Sequence, residues 1–315
     1  MWAVLGALVA NVLITILKFA AAFITGSSGM MAESFHSLAD TNNQIFLLLG
    51  LRFYKRPATK KHPFGHGKER FFWSFIAAVF IFGVGATYAL YEGYQKLRHP
   101  QPPGNLKWAY WVLGLSFVLE TASISIAIWQ EISEAHHEGL TFREYIRESK
   151  DPTAKTVIFE DSAALIGILV AALGIFLTDR RVSPEGGIYW DGLASMTIGV
   201  VLAVVAFMLA RSSRDLLIGE AATPKSVEAI YRAIESHPNV VEVIELLTMH
   251  LAPKQILVTG HINLRDDLAT DDIERTILEI EDSIKRVEPK ADKIFLEAAC
   301  ESAREERETA PQQVG

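Results

Sequence analysis

The stretch AESFHSLAD, residues 32–40, lies within a long apolar segment and places two acids and a histidine among residues suited to lipid. Residues four apart lie one above the other on a helix, so His36 and Asp40 share a face. A carboxylate at the centre of a membrane helix costs about 2.5–3.5 kcal/mol on insertion scales, and such groups are typical of ion pathways. Glu160 and Asp161 form a second acidic pair inside another apolar segment. The pattern predicts that the two helices meet near mid-membrane and hold a divalent metal ion in transit.

Six apolar segments of about 20 residues predict six transmembrane helices, which makes the chain an α-helical membrane protein. Hydrophobic residues make up 50% of the 315 residues, although 21% are charged. The predicted spans cover approximately residues 2–26, 29–53, 70–96, 106–130, 154–178 and 188–210. Because the second span follows the first at once, we interpret residues 2–26 as a retained span and not as a signal peptide. Lys18 in the first span is expected to pack against the bundle or to extend towards the membrane surface.

A basic loop sets the predicted orientation of the spans. Residues 52–70 are rich in lysine and arginine, and the positive-inside rule places this loop, and with it both termini, in the cytoplasm. At 1.5 Å per residue, His36 and Asp40 then lie roughly 10–16 Å deep from one face, and Asp161 about 13 Å deep from the other. In a hydrocarbon core about 30 Å thick these depths coincide near the midplane. No targeting peptide is visible, so the expected location is a prokaryotic plasma membrane.

Beyond residue 214 the pattern changes to that of a soluble domain. The predicted elements are a helix that begins at Thr223–Pro224, strands over 240–251 and 256–264, a helix with isoleucines on one face over 273–284, and a strand over 293–297. The order αββαβ predicts a small α+β domain of ferredoxin-like type. We therefore expect a transmembrane domain over 1–214, a cytoplasmic α+β domain over 215–300 and a disordered tail over 301–315.

Composition and missing motifs argue against several function classes. The single cysteine, Cys300, excludes an intrachain disulfide and a thiolate metal cage. A net charge of −7 without a basic stripe gives no reason to expect nucleic-acid binding. No His-Glu-x-x-His motif occurs, which argues against a membrane metallohydrolase, so we expect a transporter and not an enzyme. Two alternatives stay open: a non-transporting membrane scaffold, and acids that only fix helix packing through hydrogen bonds.

The combination of imidazole and carboxylate ligands favours zinc as the transported ion. Manganese, iron, cobalt and cadmium are the alternatives. Imidazole binds a metal only in its neutral form, so a proton competes with the ion. This predicts antiport, in which protons displace the metal from His36.

Several motifs resemble the cation diffusion facilitators, a family of six-span, proton-coupled exporters of zinc and related metals that work as homodimers. The motifs are the glycine-serine turn at 26–29, the residues 36–40, the loop 62–68, the acids of the fifth span and the αββαβ domain. Residues 99–102, 148–152 and 159–164 resemble the branch typified by the mitochondrial zinc transporter of the solute carrier 30 family. The resemblance covers about residues 3–299 and implies alternating access by a homodimer in a lipid bilayer.

The family's transport site pairs two ligands four residues apart on span two with two more on span five. Three of these positions are matched here, by His36, Asp40 and Asp161. Val157 occupies the fourth. Glu160 is the nearest substitute, although on a helix it points about 100° away from its neighbour Asp161. A rotated fifth span, Asn43 or water are the alternatives for completing the ligand shell.

The family's two other metal sites match less well. His62 and His66 match ligands of a site in the basic loop, but its acid falls near Thr59, and two neighbouring lysines disfavour a dication. An ordered glycine-rich loop without metal is the alternative. Of the binuclear cytoplasmic zinc site only His261 is matched, so we expect the cytoplasmic domain to dimerise without structural zinc.

Overall fold

The computed structural model describes residues 2–99, 104–137, 141–144, 152–180 and 189–299. The predicted tail over 301–315 and the motif residues 148–151 lie outside them. Two compact units are present: one combines Met1–Pro57 with Glu69–Arg214, and the other combines Ala58–Lys68 with Asp215–Gly315. Each unit is described by itself.

The first unit is built from helices. They are α1 (Trp2–Thr25), α2 (Ser28–Tyr54), α3 (Glu69–Phe80), α4 (Thr87–Arg98), α5 (Lys107–His137), α6 (Pro152–Asp179) and α7 (Tyr189–Ile218). The end of α7, from Asp215 onward, belongs to the second unit. A π-helical turn, Ile81–Ala86, joins α3 and α4 into one helix of 30 residues. Nearly all residues of the six predicted spans lie within these helical segments, and the number of spans stays a prediction.

Within the described ranges, four helices are long and apolar enough to cross a membrane: Glu69–Arg98, Lys107–His136, Thr156–Asp179 and Tyr189–Ile218. The fully described part of α1 adds a shorter apolar stretch, Asn11–Thr25. Polar residues between Glu33 and Asn43 make α2 less apolar than the others. Large apolar side chains face outward, for example Phe23 at 74% exposure and Phe207 at 66%, as suits contact with lipid. The chain is therefore a multi-pass helical membrane protein.

The start of α2 is held by an acid from α7. Asp191, which is 1% exposed, accepts hydrogen bonds from the Ser27 hydroxyl at 2.6 Å, the Ser28 backbone N–H at 2.7 Å and the Gly29 backbone N–H at 3.1 Å. The first N–H groups of a helix have no partner within the helix, so this carboxylate satisfies two of them. Gly26, with φ of +61°, lets the chain reverse between α1 and α2. Asp191 thus fixes the position of the N-terminal end of α2, and with it the position of the polar residues that follow in this helix.

The helices of this unit approach closely where small residues meet. A Cβ atom added to Gly93 of α4 would lie 2.8 Å from the carbonyl oxygen of Gly192 in α7, and one added to Gly199 would lie 2.9 Å from the backbone nitrogen of Leu90. Close backbone approach through small residues is a common way to pack membrane helices. The buried core around it is rich in alanine, including Ala32 of α2 and Ala171 of α6.

The second unit contains α8 (Pro224–Glu235), β1 (Val240–Ala252), β2 (Gln255–Leu264), α9 (Thr270–Val287) and β3 (Ala291–Ala298). The sheet has the order β1-β2-β3, with β1 antiparallel and β3 parallel to β2. Alternate residues of β2 are buried, and they share a core with Ile230 of α8 and Ile280 of α9. The elements follow the order expected from the sequence, around a small three-stranded sheet.

Candidate metal site between the helices

The polar residues of α2 face the interior of the first unit. Glu33, His36 and Asn43 are at most 1% exposed, and the Asp40 side chain is 15% exposed. Their spacings of three, seven and ten residues place them on one helix face. Nδ1 of His36 lies 3.2 Å from Oδ1 of Asp40. This pair occupies the predicted position on α2.

Glu160 of α6 contacts the same face of α2. The amide of Asn43 donates a hydrogen bond to Oε2 of Glu160. The carboxyl groups of Asp40 and Glu160 also lie close enough to share a hydrogen bond, which would place a proton between them. Two ionised carboxylates in a medium of low dielectric constant repel each other strongly unless a proton or a cation lies between them. The structure therefore brings the acids of α2 and α6 into direct contact.

Five ligand-type atoms of His36, Asp40, Asn43 and Glu160 are buried and have no hydrogen-bond partner among the described residues. They are both ring nitrogens of His36, Oδ1 of Asp40, Oδ1 of Asn43 and Oε1 of Glu160. Unpaired buried polar atoms are costly and are found where an ion, a water molecule or a reaction needs them. One nitrogen and several oxygens form a donor set that suits a borderline divalent ion such as zinc.

Asp161 faces another helix. Its Oδ2 accepts a hydrogen bond of 3.1 Å from the hydroxyl of Ser123 in α5. This agrees with the rotation of about 100° between adjacent helical residues, since Glu160 faces α2. In the part of the chain that the structure describes, no three side chains of histidine, cysteine, aspartate or glutamate already surround one point as a metal requires. The ligand set of His36, Asp40, Asp161 and Glu160 stays a prediction.

One buried ion pair was not predicted from the sequence. Nζ of Lys18 in α1 lies 3.1 Å from Oε2 of Glu33 and donates a 2.7 Å hydrogen bond to the hydroxyl of Ser37. Both charged side chains are fully buried. The sequence did contain a signal for this pair. Lys18 lies about as many residues before the turn at Gly26 as Glu33 lies after it, so the two side chains are at similar heights on the helices that the turn joins.

The histidines of the basic loop belong to the second unit. The ring centroids of His62 and His66 lie 4.6 Å apart, and paired backbone hydrogen bonds join Thr59 and His62. Gly65 has φ of +86°, which favours glycine. Nζ of Lys68 donates a hydrogen bond of 3.2 Å to the carbonyl oxygen of Leu217. This geometry suits the ordered glycine-rich loop that the sequence left open, and a metal at these histidines stays a prediction.

His261 lies in the middle strand of the sheet between two acids. Its Nδ1 lies 3.2 Å from Oε2 of Glu245 in β1, and its Nε2 lies 3.1 Å from Oε2 of Glu297 in β3. Each ring nitrogen therefore has a carboxylate neighbour of its own on an adjacent strand.

Comparison with known proteins gives a consistent result. A family model described as the cation efflux transmembrane domain matches residues 4–218. The protein from Mus musculus named proton-coupled zinc antiporter SLC30A9, mitochondrial, is 33% identical over 271 residues, which cover 84% of this chain and 47% of that protein. Metal tolerance protein C4 from Arabidopsis thaliana is 37% identical over 234 residues, 74% of this chain and 50% of that protein. Cation-efflux pump FieF from Pectobacterium atrosepticum is 22% identical over 280 residues, 89% of this chain and 86% of that protein.

The chain spans about half the length of the mouse and Arabidopsis relatives. The mouse and Pectobacterium relatives are named as transporters and not as enzymes. The family model covers well over half of the chain, and the sequence motifs pointed to the same family. The chain therefore belongs to the cation efflux family, the cation diffusion facilitators.

Proposed function

We propose that this chain is a proton-coupled exporter of divalent metal ions, with zinc as the transported ion. The contact between the carboxyl groups of Asp40 and Glu160 carries the proposal. These acids come from two different helices, and in a dry interior they need a positive charge between them. A proton fills this need when the metal is absent, and a metal ion replaces it on binding.

The proposed ligands on α2 are His36 and Asp40, and Asn43 holds Glu160 in place from the same helix. On α6, Glu160 faces α2 and Asp161 faces α5. A rotation of α6 by about 100° exchanges the two acids at the α2 face. Such a rotation gives an alternating-access cycle two arrangements of the site, one with Glu160 as ligand and one with Asp161.

Proton coupling follows from the same ligands. His36 binds a metal only when its imidazole is neutral, and the hydrogen bond between the two carboxyl groups is lost when a metal takes their oxygens. Each metal ion that binds therefore releases protons, and each proton that enters helps to release the metal. The name of the mouse relative, a proton-coupled zinc antiporter, supports this direction of coupling.

The proposed architecture has six spans, with α1 and α2 added to the four apolar helices. Trp111 at the start of α5 is 78% exposed and Tyr94 near the end of α4 is 47% exposed, as suits aromatic residues at a membrane surface. We propose that both termini are cytoplasmic, that residues 215–300 form a ferredoxin-like dimerisation domain, and that the homodimer lies in a prokaryotic plasma membrane.

Two alternatives deserve a direct comparison. Manganese, iron, cobalt or cadmium could be the transported ion, since a nitrogen and oxygen donor set does not exclude them. A membrane scaffold without transport is the second alternative. It would use the Asp40–Glu160 contact only to fix helix packing.

Reconstitution of the purified protein into proteoliposomes tests the proposal. With a zinc dye and a pH dye inside the vesicles, we expect zinc to enter and protons to leave, and we expect zinc flux to exceed that of the other ions. Asp40→Asn should lower zinc flux at least about tenfold, because a charged ligand to the ion is lost. The matched control, Asp266→Asn, alters an exposed acid of the second unit and should leave the flux unchanged. Equal flux in the Asp40→Asn variant and the wild type would refute the proposed site.

A further inference from the structure

Lys18 lies at the centre of a second polar cluster, next to the proposed metal site. Its ammonium group contacts Oε2 of Glu33 at 3.1 Å and the hydroxyl of Ser37 at 2.7 Å. Neither charged side chain has any exposed surface. Such a pair gains little stability over apolar residues of similar size, because both charges lose their water. Its position in the membrane therefore suggests a role in ion handling.

The other oxygen of Glu33 is unsatisfied. Oε1 is buried and has no hydrogen-bond partner within the described residues. It points at Gly167 of α6, where an added Cβ atom would overlap with it. Lys18 thus neutralises the carboxylate of Glu33 but uses only one of its oxygens, and α6 leaves room for the other.

Glu33 is placed to compete for the metal. It precedes His36 by three residues and Asp40 by seven, so the three side chains follow one face of α2. Without Lys18, the buried carboxyl group of Glu33 would need either a proton or another cation, and it lies one helical turn from the proposed ligands. A divalent ion is strongly attracted to such a group in a medium of low dielectric constant.

We infer that Lys18 acts as a tethered counter-cation, which keeps the carboxylate of Glu33 out of the set of metal ligands. The lysine supplies one positive charge that cannot leave, so the polar face of α2 holds a single divalent ion, at His36, Asp40 and Glu160. The inference rests on the proposed function. It makes Lys18 a residue that sets the number of bound ions and how readily they are released.

Zinc titration of the purified full-length protein by calorimetry tests this role. Wild type should bind one zinc ion per chain. Lys18→Met has an unbranched side chain that is one atom shorter and carries no charge. It should bind two, or bind the first at least about tenfold more tightly, because the freed carboxylate attracts the dication. Zinc flux in proteoliposomes should fall in this variant, because the ion is released more slowly. Lys18→Arg keeps the cation and should bind one zinc ion, as wild type does.

The double variant Lys18→Met/Glu33→Gln separates this role from a purely structural one. It removes both charges, so zinc binding should return to one ion per chain with the wild-type affinity. In addition, zinc should raise the melting temperature of Lys18→Met more than that of the double variant, a readout that applies even if the single variant is poorly folded without metal.

The inference is overturned if Lys18→Met binds zinc as wild type does, or if the double variant keeps the altered binding of the single variant. Wild-type protein that binds and transports no divalent ion would instead refute the proposed function itself. The two failures are therefore distinguishable.

Discussion

Replacing Asp191 by asparagine should destabilise the first unit by about 3–5 kcal/mol. In the structure, Oδ1 accepts hydrogen bonds from the Ser27 hydroxyl and the Gly29 N–H, and Oδ2 accepts them from the N–H and the hydroxyl of Ser28. Asparagine keeps one acceptor oxygen but turns an NH₂ group towards the Ser28 N–H. Hydrogen bonds to a charged group are worth about 1.5–3 kcal/mol each, and a buried N–H without a partner adds about 1–3 kcal/mol.

Unfolding of the full-length protein in mixed detergent micelles, followed by tryptophan fluorescence, measures this loss. Asp179→Asn is the matched control, because Asp179 is exposed at the end of α6 and its replacement should change the unfolding free energy by no more than about 0.5 kcal/mol. Zinc flux should fall together with stability in Asp191→Asn, since the position of the start of α2 determines where His36 lies relative to the acids of α6. A change below about 1 kcal/mol would show that Asp191 does not hold the start of α2.

Three further substitutions follow from close contacts. Gly167→Ala should destabilise the protein by about 1–3 kcal/mol, because its Cβ overlaps with Glu33 Oε1. The control Gly83→Ala, with no atom within 4 Å of its added Cβ, should be neutral or slightly stabilising in thermal melts. Equal changes in stability for the two variants would contradict the close fit between Gly167 and Glu33. Asn43→Ala should slow zinc flux at least about tenfold, since it frees Glu160 from its position, and wild-type flux in this variant would argue against that positioning. Gly67→Ala should lower the melting temperature of the full-length protein, because the added Cβ overlaps with the carbonyl oxygen of Leu251. An unchanged melting temperature would mean that the loop can move away from Leu251 without loss of stability.

Much of the helical architecture could be predicted because lipid imposes simple rules. Apolar segments of about 20 residues must form helices, and the glycine-serine turn at 26–29 marks the start of α2. Spacing along a helix also predicted the inward face of α2, since residues at intervals of three and four must share a side. The family membership rested on the same motifs and is confirmed.

The orientation of α6 about its own axis could not be predicted from the spacing of residues. Adjacent acids point about 100° apart, so the sequence shows that only one of Glu160 and Asp161 can face α2 at a time, but not which one. That choice depends on how the helix packs against α2 and α5, where Asn43 contacts Glu160 and Ser123 contacts Asp161.

The roles of Asp191 and Lys18 depend on contacts between distant segments. At the start of α7, an acid is expected to cap its own helix, whereas Asp191 satisfies N–H groups of α2. Lys18 was expected to pack or to extend to the membrane surface, and it packs within the bundle as the partner of Glu33. Neither partner is specified by local spacing, because each lies on another helix.

A double-mutant cycle on zinc binding tests most directly whether helices α2 and α6 hold one ion together. The cycle compares wild type, Asp40→Asn, Glu160→Gln and the double variant by calorimetry. If both carboxylates contact the same zinc ion, the loss of binding free energy in the double variant will differ from the sum of the single losses by at least about 1 kcal/mol. Additivity within about 0.3–0.5 kcal/mol would show that the two residues act independently and would contradict a shared site.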